Sequence, residues 1–234
     1  MKLWIFGDSF SDLKTGEDFD RNDIWSSRLV KLLSVDGAII RAKYGVSNEW
    51  IYNQLVEASQ FIDRTDYIIV QLTDPSRHWF LDDPTFSNLT TLSSLKDSEL
   101  EKLNISVEQK QAARHYLTHL YRENTDDILY HQTFHAICHI INVAGFLNVG
   151  IIPGFSPLPA VKRTLVDVCN NEFVSERDRH QWFSTHPVDL RINHLSPENH
   201  LILADKLKDF LLHPGTKLDL SSGFKTNFLR YNDR

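Results

Sequence analysis

The sequence has few of the features that mark secreted, membrane or nucleic-acid-binding proteins. Its two cysteines, Cys138 and Cys169, lack the spacing of a metal site and fit a reduced, cytoplasmic setting. No apolar run approaches the roughly 18 residues of a membrane helix. The few apolar residues after Lys2 are too short for a signal peptide, although a protein released by lysis would look the same. The net charge of −6 lacks the basic excess typical of nucleic-acid binding.

Length and composition are those of one globular domain. The 234 residues suffice for a sizeable α/β domain and are few for two. Hydrophobic residues make up 41% of the chain and charged residues 24%, which is ordinary for a globular protein. We therefore expect a single domain over residues 1–234.

Short apolar runs alternate with segments of helical periodicity. The predicted strands are residues 2–6, 38–42, 67–72 and 149–153, and the predicted helices are residues 24–33, 50–62, 107–122, 126–146 and 197–212. This alternation predicts a parallel sheet with helices on both faces. Residues 81–146, whose first part lacks periodicity, are expected to form a helical lid or insertion. Residues 213–234 form a tail that packs on the body or contacts a partner.

Turn residues follow the first predicted strand directly. The apolar residues 3–6 lead into Gly7, Asp8 and Ser9. A serine on a sharp turn between a strand and a helix exposes its hydroxyl beside the backbone N–H groups that open the helix. A serine nucleophile needs this arrangement. Three residues can also match by chance, so an ordinary turn is the alternative.

A histidine stands shortly before the last predicted helix. In parallel α/β sheets, ligands bind beyond the carboxyl ends of the strands. His194 lies in a loop from which it can reach that edge and serve as a base for Ser9. The loops expected at the edge begin at Ser9, Gly45, Thr73 and Gly154.

Three segments together resemble the sequence blocks of the SGNH (GDSL-like) hydrolase superfamily. They are Gly7-Asp8-Ser9-Phe10-Ser11, Tyr44-Gly45-Val46-Ser47-Asn48 and Asn193-His194-Leu195-Ser196-Pro197-Glu198-Asn199-His200. The resemblance spans nearly the whole chain and implies a flavodoxin-like three-layer α/β/α fold. It also implies that Ser9 is the nucleophile and His194 the general base, that the backbone N–H groups of Ser9 and Gly45 stabilise the oxyanion, and that no cofactor is needed.

Two blocks depart from the family's pattern. The third block usually carries an asparagine that donates to the oxyanion, and here Thr73 stands in its place, so its hydroxyl is the predicted donor. The family's acid lies three residues before the histidine, where this chain has Arg191. Asp189 is the nearest carboxylate upstream and is the candidate third member of a triad. A Ser9–His194 dyad is the alternative.

Further polar residues near these blocks are candidates for binding substrate. They are Asp8, Asn48, Asp74 and Arg77. His131, His135 and His139 recur at four-residue spacing on one predicted helix. That spacing can bind metal, but helix packing explains it as well, and we predict no metal site.

The predicted function is hydrolysis of an ester through a Ser9 acyl-enzyme. The expected substrate is a small-molecule or carbohydrate ester, with O-acetylated carbohydrate as the narrower expectation, and no nucleic-acid or membrane partner is expected. Two alternatives remain open: a catalytically degenerate scaffold or binding protein with this fold, and an acyltransferase that uses the same serine. The resemblance does not define an oligomeric state.

Overall fold

A computed structural model describes residues 1–12, 24–79, 106–116, 119, 124–159, 161–172, 194–213, 215–227 and 229–230. Four strands form a parallel sheet in the order β2-β1-β3-β4: β1 (Lys2–Gly7), β2 (Gly37–Ala42), β3 (Tyr67–Gln71) and β4 (Asn148–Ile152). This is the strand order of flavodoxin-like sheets. The predicted α/β class with a parallel sheet is confirmed, and all four predicted strands are present.

Five helices accompany the sheet in the described residues. They are α1 (Trp25–Leu33), α2 (Asn48–Ser59), α3 (Val107–His115), α4 (Thr125–Ala144) and α5 (Pro197–Leu212). Local signals explain their starts. The Ser47 hydroxyl accepts a hydrogen bond from the Trp50 N–H at the start of α2, and Ser196 caps α5, whose first residue is Pro197.

Side chains of the two central strands alternate between two cores. Leu3 and Ile5 pack with α1 and α5 on one face, and Trp4 and Phe6 pack with α2 and α4 on the other. All four are buried, because helices cover both faces of the sheet. The uninterrupted apolar run of β1 therefore follows from its central position.

The helix α4 belongs to the body of the protein. It connects β3 to β4, and its Tyr130 and Ile137 are buried in the same core as Ile51 of α2. The prediction of a lid over residues 81–146 is therefore corrected for α4, because burial of its apolar face makes it one of the layer helices. The segment 80–105 lies outside the described residues.

The described part of the tail lies against α5. Leu220 is buried in the core that α1 and α5 share, and the short strand β6 (Leu229–Arg230) pairs in parallel with β5 (Asn171–Glu172). Of the two alternatives for the tail, packing on the body is thus observed. Among the described residues, no helix has both the length and the apolar character needed to cross a membrane.

Candidate active site

The turn after β1 is built by hydrogen bonds that close on Asp8. The carbonyl of Asp8 accepts from the backbone N–H groups of Ser11 and Asp12, both at 3.0 Å, which makes one helical turn immediately after the strand. Trp25 then donates from its indole N–H to the Phe10 carbonyl at 2.8 Å. The turn that carries Ser9 is therefore held between β1 and the start of α1.

Close packing beneath this turn requires Gly7 to lack a side chain. A Cβ at Gly7 would lie 2.7 Å from both Gln71 Oε1 and Ser11 Oγ. The same Gln71 oxygen accepts from the Asp8 N–H at 3.1 Å and from the Ser11 hydroxyl at 2.9 Å. The fully buried Gln71, which the sequence does not single out, thus connects the end of β3 to the Ser9 turn.

The carboxylate of Asp8 organises the turn from inside. One oxygen accepts from the Phe10 N–H at 3.0 Å, and the other accepts from the Thr73 hydroxyl and from Arg77 Nη1, the latter at 2.9 Å. Asp8 is fully buried. Its charge is balanced by the Arg77 guanidinium, so this pair holds the turn in place and does not leave the carboxylate open to a substrate.

Thr73 has no hydrogen left to donate to an oxyanion. Arginine only donates, so the Thr73 hydroxyl accepts from Arg77 Nη1 at 2.7 Å and directs its single hydrogen to Asp8. Thr73 is also fully buried. The prediction that its hydroxyl donates to the oxyanion is therefore corrected: Thr73 supports Asp8.

Ser9 and His194 meet across the cleft. Ser9 Oγ lies 3.1 Å from His194 Nε2, although the two residues are 185 positions apart in the chain. Both side chains are half-buried. The distance lies within the hydrogen-bond reach that a base needs to take a proton from a serine hydroxyl.

The Phe10 ring packs against the His194 ring. The His194 ring stacks on Phe10 with centroids 4.5 Å apart and an interplanar angle of 21°. Phe10 meets Phe155 edge to face at 5.7 Å, and Arg77 lies 5.5 Å from the centre of the Phe155 ring. Phe155 follows the end of β4, so the loops after β1, β3 and β4 all contribute to the cleft around Ser9.

The loop that carries His194 is anchored by the buried Asn170. Its backbone N–H donates to the His194 carbonyl at 3.2 Å, and its side-chain oxygen accepts from the Ser196 N–H at 3.0 Å. Its amide nitrogen donates to the Asn227 carbonyl at 3.2 Å. No local sequence pattern identifies Asn170, because its partners come from two other segments of the chain.

A second buried asparagine joins the same loop to the tail. Asn199 donates to the carbonyls of Val168 at 2.8 Å and Lys225 at 3.0 Å, and its oxygen accepts from the Lys225 N–H at 2.8 Å. Asn199 also donates its backbone N–H to Ser196. The tail is therefore part of the support for the His194 loop.

The remaining predicted site residues differ in their surroundings. Gly45 has a positive φ of 70° in the loop after β2, a conformation that suits glycine. Asn48 is buried and exchanges two hydrogen bonds with the backbone of Thr73, and Asp74 accepts from both the N–H and the hydroxyl of Ser76. These contacts make Asn48 and Asp74 supports of their loops, and a substrate contact of either side chain stays a prediction. Asp189 and Arg191 lie outside the described residues.

Other candidate groups stand apart from the cleft. In the part of the chain that the structure describes, no group of three or more His, Cys, Asp or Glu residues has the geometry of a metal site. His131, His135 and His139 are exposed on α4, so helix packing does not account for their spacing. His200 is buried and accepts a hydrogen bond from the Trp25 N–H at 3.2 Å, which supports the start of α1.

Comparisons with known proteins add a structural likeness. No protein-family model matches the sequence. No curated protein matches it either. Among solved structures, the chain is similar to a member of the lipolytic protein G-D-S-L family from Veillonella parvula, at 12% identity and a TM-score of 0.32, with 93% of this chain and 99% of that chain covered. A similarity at this level does not decide between functions.

Proposed function

We propose that this protein is a serine esterase that acts through an acyl-enzyme on Ser9. The observation that carries the proposal is the 3.1 Å separation of Ser9 Oγ and His194 Nε2 on loops at the carboxyl edge of the sheet. Ligands of parallel α/β sheets bind at this edge. The serine stands on a turn held by Asp8 and Gln71, so its position does not depend on a bound substrate.

In the first half-reaction, His194 Nε2 takes the proton of the Ser9 hydroxyl as Oγ bonds to the ester carbonyl carbon. The carbonyl π electrons move to the oxygen. When the tetrahedral intermediate collapses, the bond to the alcohol oxygen breaks, and the alcohol leaves with the proton from His194. In the second half-reaction, water repeats these steps on the acyl-enzyme, which releases the carboxylic acid and restores Ser9.

Backbone N–H groups are the proposed oxyanion donors. No described residue accepts a hydrogen bond from the Ser9 N–H, so this donor is available beside the nucleophile. The Gly45 N–H, which the family resemblance implies as a second donor, remains in the proposal. Thr73 is not among the proposed donors, because its hydroxyl donates to the Asp8 carboxylate. Preorganised donors of this kind typically account for a large share of the rate enhancement in acyl transfer.

The proposed substrates are O-acetyl esters of carbohydrates. This narrower proposal is supported by the family resemblance and by the aromatic side chains near the cleft, of which Phe155 is half-exposed. Asp189 is proposed as the acid that orients His194. In that role its carboxylate would accept the Nδ1–H and stabilise the imidazolium that forms as the serine loses its proton.

Hydrolysis of p-nitrophenyl acetate and of acetylated sugars tests the proposal. Wild-type protein should release acetate, whereas Ser9→Ala and His194→Ala should lower kcat by at least about 10³-fold. Ser59→Ala, which removes a hydroxyl that donates to the Val56 carbonyl on α2, is the control and should retain activity. Hydrolysis that survives in Ser9→Ala would contradict the mechanism, and no hydrolysis by wild-type protein would favour the scaffold alternative.

A further inference from the structure

A separate cavity opens beyond the carboxyl end of β2. Its volume is about 370 Å³, and its lining includes Arg41, Lys43, Tyr44, Trp50 and Gln54 together with Asp12. We call this cavity the β2 pocket. The predicted site residues do not line it, and nothing in the proposed ester cleavage uses it. A space of this size accommodates a single sugar ring with its substituents.

Two aromatic side chains form part of its wall. Tyr44 is 52% exposed, so its ring is open to solvent at the pocket. Trp50 is half-buried at the start of α2 and packs its inner part on the core. Aromatic faces of this kind pack well against the C–H face of a pyranose ring, which is apolar on that side and polar around its rim.

The charged groups of the β2 pocket are Lys43, Arg41 and Asp12. No described residue pairs with the Lys43 ammonium, whose backbone N–H is held by the Gly7 carbonyl at 3.3 Å. Arg41 forms an ion pair with Glu57 at 3.4 Å and donates to the side-chain and backbone oxygens of Gln54 at 3.4 and 3.5 Å. Asp12 is buried and supplies one acidic group. Because Arg41 is paired with Glu57, the Lys43 ammonium is the cation of the pocket that can pair with an anionic ligand.

We propose that the β2 pocket binds a pyranose ring that carries a carboxylate. Tyr44 and Trp50 contact the C–H face of the ring, and Gln54 binds its hydroxyl groups. Lys43 binds the carboxylate by a charge-assisted hydrogen bond. This set of contacts distinguishes the ligand from a neutral sugar, which cannot pair with the Lys43 ammonium. It also distinguishes the ligand from a simple aromatic acid, which has no hydroxyl groups for Gln54 to bind.

The β2 pocket lies close enough to Ser9 to hold a neighbouring part of the same substrate. Gly7 pairs with Ala42 in the sheet, Lys43 follows Ala42, and Ser9 follows Gly7 by two residues. Strand spacing and residue rise therefore put the pocket roughly 10 Å from the serine, about the span of two linked sugar rings. This assignment rests on the proposed esterase function only in naming the bound sugar as part of the substrate.

Binding to the full-length Ser9→Ala protein tests the assignment without turnover. The probes are methyl glucuronide, methyl glucoside and benzoate, titrated against the protein by NMR. Methyl glucuronide should bind about tenfold more tightly than methyl glucoside, which lacks the charge-assisted contact. It should also bind about tenfold more tightly than benzoate, which lacks the contacts of the sugar ring. Lys43→Gln should remove the preference over methyl glucoside, and Tyr44→Ala should weaken both sugars. Lys31→Gln, an exposed lysine on α1, is the matched control and should leave the preference unchanged.

Three results would overturn the assignment. They are equal binding of the two glycosides, benzoate binding as tight as methyl glucuronide, and a preference that survives in Lys43→Gln. Because the titration uses a protein that lacks the Ser9 hydroxyl, a failure of ester hydrolysis does not alter its outcome. Hydrolysis of simple esters without uronate binding would support the esterase proposal and contradict only the proposed uronate site in the β2 pocket.

Discussion

The hydroxyl of Thr73 donates its single hydrogen to the carboxylate of Asp8, 65 residues earlier in the chain. Arg77 donates to both partners, so three buried or half-buried groups form one network behind the Ser9 turn. The network joins the loop after β3 to the Ser9 turn.

We predict that Thr73→Val destabilises the protein more than it impairs the chemistry. The change leaves the buried Asp8 carboxylate with one fewer donor and should lower the free energy of unfolding by about 1.5–3 kcal/mol, while kcat falls by about tenfold or less. Thr73→Ser, which keeps the hydroxyl, is the control. Urea unfolding and ester hydrolysis measure the two effects. A loss of 10²–10³ in kcat at unchanged stability would make Thr73 an oxyanion donor after all.

We predict that Asn170→Ala slows the reaction of Ser9 by displacing His194. The substitution removes the acceptor for the Ser196 N–H and the donor to Asn227. A small displacement of the base should lower the rate of fluorophosphonate labelling about 10- to 100-fold and change the pH profile of labelling. Asn148→Ala removes a comparable amide hydrogen bond to Thr65 at the opposite edge of the sheet and is the control. Equal labelling of the two variants would exclude a positioning role for Asn170.

We predict that Asp189 completes a triad with His194. Asp189→Asn should then lower kcat by about 10⁴-fold while the protein stays folded, because the histidine loses its orientation and tautomer. Steady-state hydrolysis and circular dichroism measure the two effects. A loss of less than about tenfold would instead identify a Ser9–His194 dyad.

We predict that Asp219 stabilises the tail at neutral pH and that this contribution is lost in acid. Hydrogen bonds from Ser221 and Ser222 hold the pKa of Asp219 well below its usual value. A lowered pKa in the folded state contributes stability above about pH 4, where the unfolded carboxyl is also ionised, and this contribution disappears as the pH falls further. Asp219→Asn should therefore lower the urea midpoint at neutral pH and have a shrinking effect in acid. Asp205→Asn, an exposed carboxylate on α5, is the control, and a pH-independent effect of Asp219→Asn would contradict the prediction.

Local patterns in the sequence account for most of the fold. Continuous apolar runs predict strands that are covered on both faces, and Ser47 and the Ser196–Pro197 pair mark two helix starts. The role of α4 was mispredicted because the segment before it lacks periodicity, which extended the predicted lid into a helix of the core. The pairing of β5 with β6 involves two residues on each side, too few for any pattern.

The site was predictable only where a motif carries it. Ser9 and His194 belong to recognisable blocks, and the structure brings their side chains together. Gln71 and Asn170 act through contacts with segments distant in sequence, so no local spacing marks them. The function of Thr73 depends on whether its hydroxyl faces the cleft or Asp8, and only the three-dimensional arrangement determines that.

The most direct measurement of the central claim is the site of covalent modification by a fluorophosphonate. Digestion and mass spectrometry of the labelled protein should identify one adduct, on the peptide that contains Ser9, because His194 Nε2 lies within hydrogen-bond distance of that hydroxyl. His194→Ala should abolish the adduct, and Ser11→Ala, a buried neighbour, should leave it on Ser9. An adduct on another residue, or an unlabelled protein, would contradict the account of Ser9 as the nucleophile.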